Sequence, residues 1–185
     1  NKYISQKEKL ANELGVEFKL IKLEKSTTKK LCSVIDELNE DKNIHGIIVQ
    51  LPIPKEIDYE VIRNRIDPNK DIDGVNDVNV LRVFNNHPNA LVPCTALGIM
   101  KILDYYEIPL EGMNVTIIGR SIHIGKALFS LLLHRNCTVT ICHSKTKDLK
   151  KHTKNADMVI TSVGKADFIT QDMVNKDVIL VDVGF

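Results

Sequence analysis

The sequence predicts an α/β fold of two α/β units, the second built on a Rossmann-like parallel sheet, with a cleft between them. Three observations predict it. In the second half, short β-branched runs alternate with helix-period segments. The first of those runs passes directly into a glycine-bounded turn that opens a helix. The first half shows the same alternation more loosely, and a loop-rich stretch at 78–93 separates the halves.

Each element follows in order. Residues 2–14 read as a helix, with Tyr3, Leu10, Ala11 and Leu14 near one face and Gly15 as the stop. The loose alternation at 16–23 predicts a strand. Ser26, Thr27 and Thr28 offer caps before Leu31, Val34, Ile35 and Leu38, which recur at helical spacing. The apolar run 44–51 predicts a strand buried on both faces, ended by Pro52 and Pro54. A small helix covers 59–66, and 68–74 is a charged turn. Asn85, Asn86, Pro88 and Asn89 make 78–93 loop-rich. A helix over 95–106 joins the halves. Strands at 115–118, 138–142, 158–161 and 178–183 then alternate with helices at 124–134 and 149–155, which implies right-handed crossovers.

Composition sets the class. The hydrophobic fraction of 43% and the charged fraction of 26% are those of an ordinary globular protein. A net charge of +1 gives no global field for nucleic acid or a membrane surface. The longest apolar runs, such as 127–133, fall well short of the roughly 20 residues that span a bilayer. Cys32, Cys94, Cys137 and Cys142 form no Cys-x-x-Cys pair, so they read as buried thiols in a reducing compartment rather than disulfides or zinc ligands. No metal site is expected. The chain opens without methionine, inside a helical pattern, and stops where a strand should become a loop, so both ends read as truncated. The compartment is therefore expected to be cytoplasmic or organellar, a targeting segment before Asn1 being compatible with this.

The run Gly119-Arg120-Ser121-Ile122-His123-Ile124-Gly125 follows the strand at 115–118. Glycine there lets backbone N–H groups approach a phosphate, and a helix N-terminus favours its charge. The pattern is not the standard G-x-G-x-x-G, and a purely structural glycine turn is the alternative. The next strand ends in Cys142-His143-Ser144-Lys145-Thr146, without the carboxylate that bonds the ribose hydroxyls of NAD. A hydroxyl and cations suit a 2′-phosphate, which Arg120 could share with Ser144, so the pattern favours NADP. Lys145, Lys147, Lys150, Lys151 and Lys154 form for the most part a solvated helix face.

Three features are candidates for chemistry. Tyr3 and Lys7 lie one helical turn apart and could stack a ring and move a proton, a partly buried lysine being tunable toward neutral pH; a tyrosine beside an exposed lysine is the alternative. Gln50 ends the run Ile47-Ile48-Val49, where ligands of parallel sheets bind, or else it simply emerges into solvent before Pro52. Lys70-Asp71-Ile72-Asp73-Gly74 places two carboxylates at a tight turn, as acid/base groups or as a turn cap.

Taken in order, Tyr3-x-x-x-Lys7, Gly46-Ile47-Ile48-Val49-Gln50-Leu51-Pro52, Lys70-Asp71-Ile72-Asp73-Gly74, Pro93-Cys94-Thr95, Gly119-Arg120-Ser121, Cys142-His143-Ser144 and Val181-Asp182-Val183-Gly184 resemble the bifunctional methylenetetrahydrofolate dehydrogenase/methenyltetrahydrofolate cyclohydrolase family. The resemblance implies oxidation of 5,10-methylenetetrahydrofolate by hydride transfer to NADP, then hydrolysis to 10-formyltetrahydrofolate. It implies that Lys7 handles the proton of the hydrolytic step, Gln50 hydrogen-bonds Lys7, Tyr3 stacks on the folate, Asp73 anchors the pterin, and Val49 and Leu51 flank the substrate. Gly119, Arg120, Ser121 and Ser144 would hold NADP, with Thr95 and Phe185 near the nicotinamide. It further implies a folate-binding catalytic domain at 1–93, a Rossmann-like NADP-binding domain at 94–185 with 94–107 as linker helix, tetrahydrofolate derivatives as substrates and a homodimer. The sequence departs from the family pattern at Ala96, His123, Ala127 and Phe185, the second and third standing where Ile and Pro are usual. A strand before Tyr3 and a C-terminal substrate loop and helix are the family's remaining parts. A short-chain dehydrogenase also pairs Tyr-x-x-x-Lys, but its glycine motif precedes the pair; a regulatory module without catalysis would not need the set Lys7, Gln50 and Asp73.

Overall fold

The structure, a computed structural model, describes residues 2–183. Gly184 and Phe185 lie outside the described residues, so the expectation for Phe185 has no structural counterpart here. Five helices come first: α1 (Lys2–Glu13), α2 (Thr28–Glu40), α3 (Tyr59–Arg65), α4 (Asp77–Phe84) and α5 (Cys94–Tyr105). There follow β1 (Asn114–Ile118), α6 (Gly125–Leu133), β2 (Thr138–Cys142), α7 (Leu149–Lys154), β3 (Met158–Thr161) and β4 (Ile179–Asp182). No helix of the described residues is long and apolar enough to cross a membrane.

The second half is an α/β sheet of order β2-β1-β3-β4, parallel throughout. Alternate side chains of its strands serve opposite faces. Val115, Ile117, Met158 and Ile160 pack with α5 and α6, through Ala96, Leu103, Leu128 and Leu132. Ile118 and Val159 pack on the other face with Cys142, Ala156 and Phe168. Because β1 leads out to β2 while β3 returns to its other side, the strand order reverses between β1 and β3. That opens a crevice at their C-terminal ends.

The first half packs helices around Ile35, Ile47, Ile57, Ile62 and Ile66. Thr27 caps α2 by accepting from the Lys30 N–H at 3.2 Å, as the Ser-Thr-Thr run predicts. Asp58 caps α3 by accepting from the Glu60 and Val61 N–H groups. The α3 helix is then fastened twice. Buried Arg63 donates to the Val75 carbonyl and to Asp77, and Arg65 grips Asp36 of α2 with two nitrogens.

Three expectations need correction. The runs 16–23 and 44–51 form no strand ladder among the described residues. A strand needs a hydrogen-bonded neighbour, and the second run gains only one bridge, from Ile47 to Asp71. Nor is it buried on both faces: Ile47 is buried and Ile48 exposed, while Val16, Leu20 and Ile21 of the first run are exposed. Inside the supposed loop 78–93 stands α4, capped by Asn76, whose side chain accepts from the Val78 N–H at 2.8 Å. The thiols are not uniformly buried either: Cys137 and Cys142 are, Cys32 is half-buried and Cys94, in the first turn of α5, is exposed.

Candidate active site

The sequence places Tyr3 and Lys7 on one face of α1, and the structure brings that face to the 46–51 segment. Lys7 Nζ donates to Gln50 Oε1 at 3.1 Å. The amide is oriented for this because its Nε2 donates to the Leu51 carbonyl at 2.9 Å. Gln50 is half-buried between half-buried Val49 and Leu51. Lys7 is exposed rather than partly buried, and Tyr3 is 47% exposed.

The 70–74 turn separates its two carboxylates by role. Asp71 is fully buried; its Oδ2 accepts from the Asn76 N–H and from Asn79 Nδ2, while Oδ1 has no hydrogen-bond partner. Lys70 turns the other way and donates to the Leu38, Asn39 and Asp41 carbonyls at the end of α2. Gly74 has φ +66°, and a Cβ there would collide with the Leu91 carbonyl, so the turn requires glycine. Asp73, between them, is half-buried. Burial pushes its carboxyl above the usual range, against the pull of Lys7 and His123. Of the pair, Asp73 is therefore the candidate for contact with a ligand, while Asp71 fastens the turn.

On the nucleotide side, β1 runs into Gly119, whose φ of +134° is open to glycine. A Cβ there would strike Ser162 Oγ, and one on Gly125 would strike the Gly119 carbonyl. The loop is thus packed as tightly as two glycines permit. Its base is pinned by the Gly119 N–H to the Cys142 carbonyl at 2.9 Å and by the Ser162 N–H to the Ile118 carbonyl at 3.0 Å. The N-terminus of α6 has no side-chain cap, which leaves backbone donors at the crevice. Arg120, Ser121 and Ser144 are all exposed around it. A backbone that approaches closely, uncapped helix donors and these polar groups suit a dinucleotide phosphate. Of the lysines after β2, Lys150 pairs with Asp172 and Lys154 donates to the Val174 carbonyl, so these two are structural. Thr95 is exposed on the first turn of α5. Among the described residues no group of His, Cys, Asp and Glu could hold a metal ion.

Two residues outside the sequence-predicted set join the sides. Tyr59, the first residue of α3, shares a hydrogen bond with His123 of the glycine turn, Oη to Nε2 at 3.2 Å. Their rings stack with centroids 6.1 Å apart and planes at 29°. Burial raises the Tyr59 phenol, helped by Asp73, and lowers the His123 imidazole, opposed by Asp73. The histidine was visible as a departure inside the loop; Tyr59 carried no signal because its partner lies 64 residues away. A cavity of about 330 Å³ between α4 and α6 is lined by apolar groups such as Val80, Phe84 and Phe129 and by none of Lys7, Gln50, Asp73 or Gly119.

Comparison with known proteins gives a consistent result. The model described as tetrahydrofolate dehydrogenase/cyclohydrolase, catalytic domain, matches residues 1–73, and that described as tetrahydrofolate dehydrogenase/cyclohydrolase, NAD(P)-binding domain, matches 93–185. The chain is 48% identical over 185 residues to the bifunctional protein FolD of Orientia tsutsugamushi (strain Ikeda), covering 98% of this chain and 61% of the relative. It superposes on the crystal structure of the bifunctional enzyme FolD from Campylobacter jejuni with a TM-score of 0.95 and 40% identity, over 99% of this chain and 65% of that one. The Trypanosoma brucei dehydrogenase-cyclohydrolase, solved with NADP cofactor and an inhibitor, gives a TM-score of 0.92 at 30% identity, over 99% and 63%. The chain spans 61–66% of the length of the curated relatives it matches.

Proposed function

Because this chain belongs to the tetrahydrofolate dehydrogenase/cyclohydrolase family, we propose that the protein oxidises 5,10-methylenetetrahydrofolate with NADP and hydrolyses the methenyl product to 10-formyltetrahydrofolate. The observation that carries the reading is the Lys7–Gln50 contact at 3.1 Å, close enough to half-buried Asp73 for the amine to lower its carboxyl. Asp73 is also within charge range of His123 of the glycine turn, which supports a single site shared by the proton-handling and nucleotide-side groups.

Each residue then has a task that its surroundings support. Lys7 takes or returns a proton as water adds to the methenyl carbon. Gln50 accepts from the Lys7 ammonium and fixes its direction. Asp73 accepts N–H donors from the pterin edge, where a half-buried carboxyl forms strong charge-assisted bonds. Tyr3 offers a ring face to the folate, and Val49 and Leu51 bound the slot. NADP, when bound, accepts the hydride. Gly119, Ser121 and the α6 N-terminus hold its phosphates, Arg120 with Ser144 takes the 2′-phosphate, and Thr95 flanks the nicotinamide. Positioning two rings in one cleft is the chain's main contribution to the redox step.

The reading divides the chain into a folate-binding domain at 1–93 and a nucleotide-binding domain at 94–185. The burial of Ala96, Ile99 and Leu103 of α5 in the second half's core supports counting that helix with the latter. A homodimer belongs to the same reading and is checked by light scattering. Purified protein given methylenetetrahydrofolate and NADP should produce reduced nicotinamide, and given methenyltetrahydrofolate should bleach its absorbance faster than buffer does. NADP binding with neither turnover would instead favour a regulatory module of the same fold.

A further inference from the structure

We infer that Tyr59 and His123 form a positioning clasp that sets the spacing between the folate-side carboxylate and the glycine turn. The inference rests on the functional reading above. Arg63 holds α3 to Val75 and Asp77, and Arg65 holds it to Asp36 on α2, so its first residue, Tyr59, is a fixed point. His123 sits midway along a turn whose two ends are fastened but whose middle is bonded to the first half through this ring. The bond of 3.2 Å and the stacked rings act together, one directional and one broad. His123 is also within charge range of Asp73 and Asp71, which places the clasp at the edge of the cleft. An apolar side chain such as isoleucine at this position would offer no hydrogen bond, so the joint needs the imidazole and, opposite it, the Tyr59 hydroxyl.

Both residues act through the turn, not on the substrate, so they are positioning residues. A misplacement near 1 Å costs hydride transfer up to about a hundredfold, because two rings must align, whereas water addition needs only the folate side. The test is a cycle of Tyr59→Phe, His123→Ile and the double variant in the complete protein. His123→Gln is added, since its amide can reform the bond to Tyr59. The expected result is that each single change lowers the dehydrogenase kcat roughly tenfold and moves cyclohydrolase less than about twofold. The double variant is no worse than either single one, because two apolar partners leave nothing unpaired, and His123→Gln recovers most of the loss. Amide hydrogen exchange at 119–125 rises in the single variants and not in His123→Gln. Equal loss of both activities, additive losses, or unchanged exchange in Tyr59→Phe would overturn the clasp. Should the unaltered protein show no turnover, the proposed function fails, and the exchange measurement alone still decides the clasp.

Discussion

At the scale of residues, the site depends on a few directed polar groups rather than on a deep cavity. Lys7 stands exposed, guided by one amide whose other end is tied to the Leu51 carbonyl. We expect Lys7→Met to lower cyclohydrolase turnover by about a hundredfold or more, the usual weight of a proton-transfer group, while NADP affinity measured by fluorescence titration stays unchanged. Hydrolysis at the unaltered rate would remove Lys7 from the reaction. Arg120 is exposed at the crevice with Ser144 as its neighbour in role. Losing a charged hydrogen bond of about 1.5–3 kcal/mol weakens NADP tenfold or more. Arg120→Ala should therefore leave NAD binding nearly as it was; parallel losses for both dinucleotides would show that Arg120 does not read the 2′-phosphate.

At the scale of elements, burial decides what each helix contributes. Leu128 of α6 is fully buried between the sheet and α5, whereas Leu133 at the same helix's end is 45% exposed. Leu128→Ala should cost about 2–5 kcal/mol and Leu133→Ala well under 1, read as shifts in the urea midpoint at constant slope. Comparable costs for the two would mean that α6 is not anchored by this face. The strand and helix bounds of the second half were legible in the sequence to within a residue or two, because each strand pairs with neighbours close in the chain and its periodicity is clean. The first half was less legible. Its apolar runs look like strands, but no described neighbour pairs with them beyond the bridge at Ile47. The helix α4 was hidden by the asparagines that follow it, although Asn76 and Asp77 spell a capped start. Within the site, motif residues such as Lys7, Gln50 and Asp73 could be picked out individually, while Tyr59 emerges only from the three-dimensional meeting of distant segments.

At the scale of the molecule, charge couples stability to pH. Arg63 beside Asp77, and Arg65 beside Asp36, hold those carboxyls below the usual range by hydrogen bonding, and Lys150 with Thr170 brings Asp172 to about 2. A carboxyl lowered in the folded state favours folding above its unfolded value of about 3.9. That contribution is lost as pH falls through the lowered values, toward pH 2. Asp73 has the opposite sign: its raised carboxyl favours folding most when protonated, and that share is lost as pH rises through its folded value. Thermal unfolding followed from pH 6 to pH 2 should thus show Tm falling below about pH 4, modestly because the three carboxyls are solvent-exposed, and Asp73→Asn should raise Tm at neutral pH. A Tm independent of pH over that range would mean the three ion pairs add nothing.

Lys70 shows how far such a site extends. Its ammonium gathers three carbonyls from the tail of α2, and the next residue but two is Asp73, the proposed pterin anchor. On the proposed reading, the turn that carries Asp73 is therefore moored to α2. Slackening that mooring, as with Lys70→Met, would blur where Asp73 points without altering any group in the cleft.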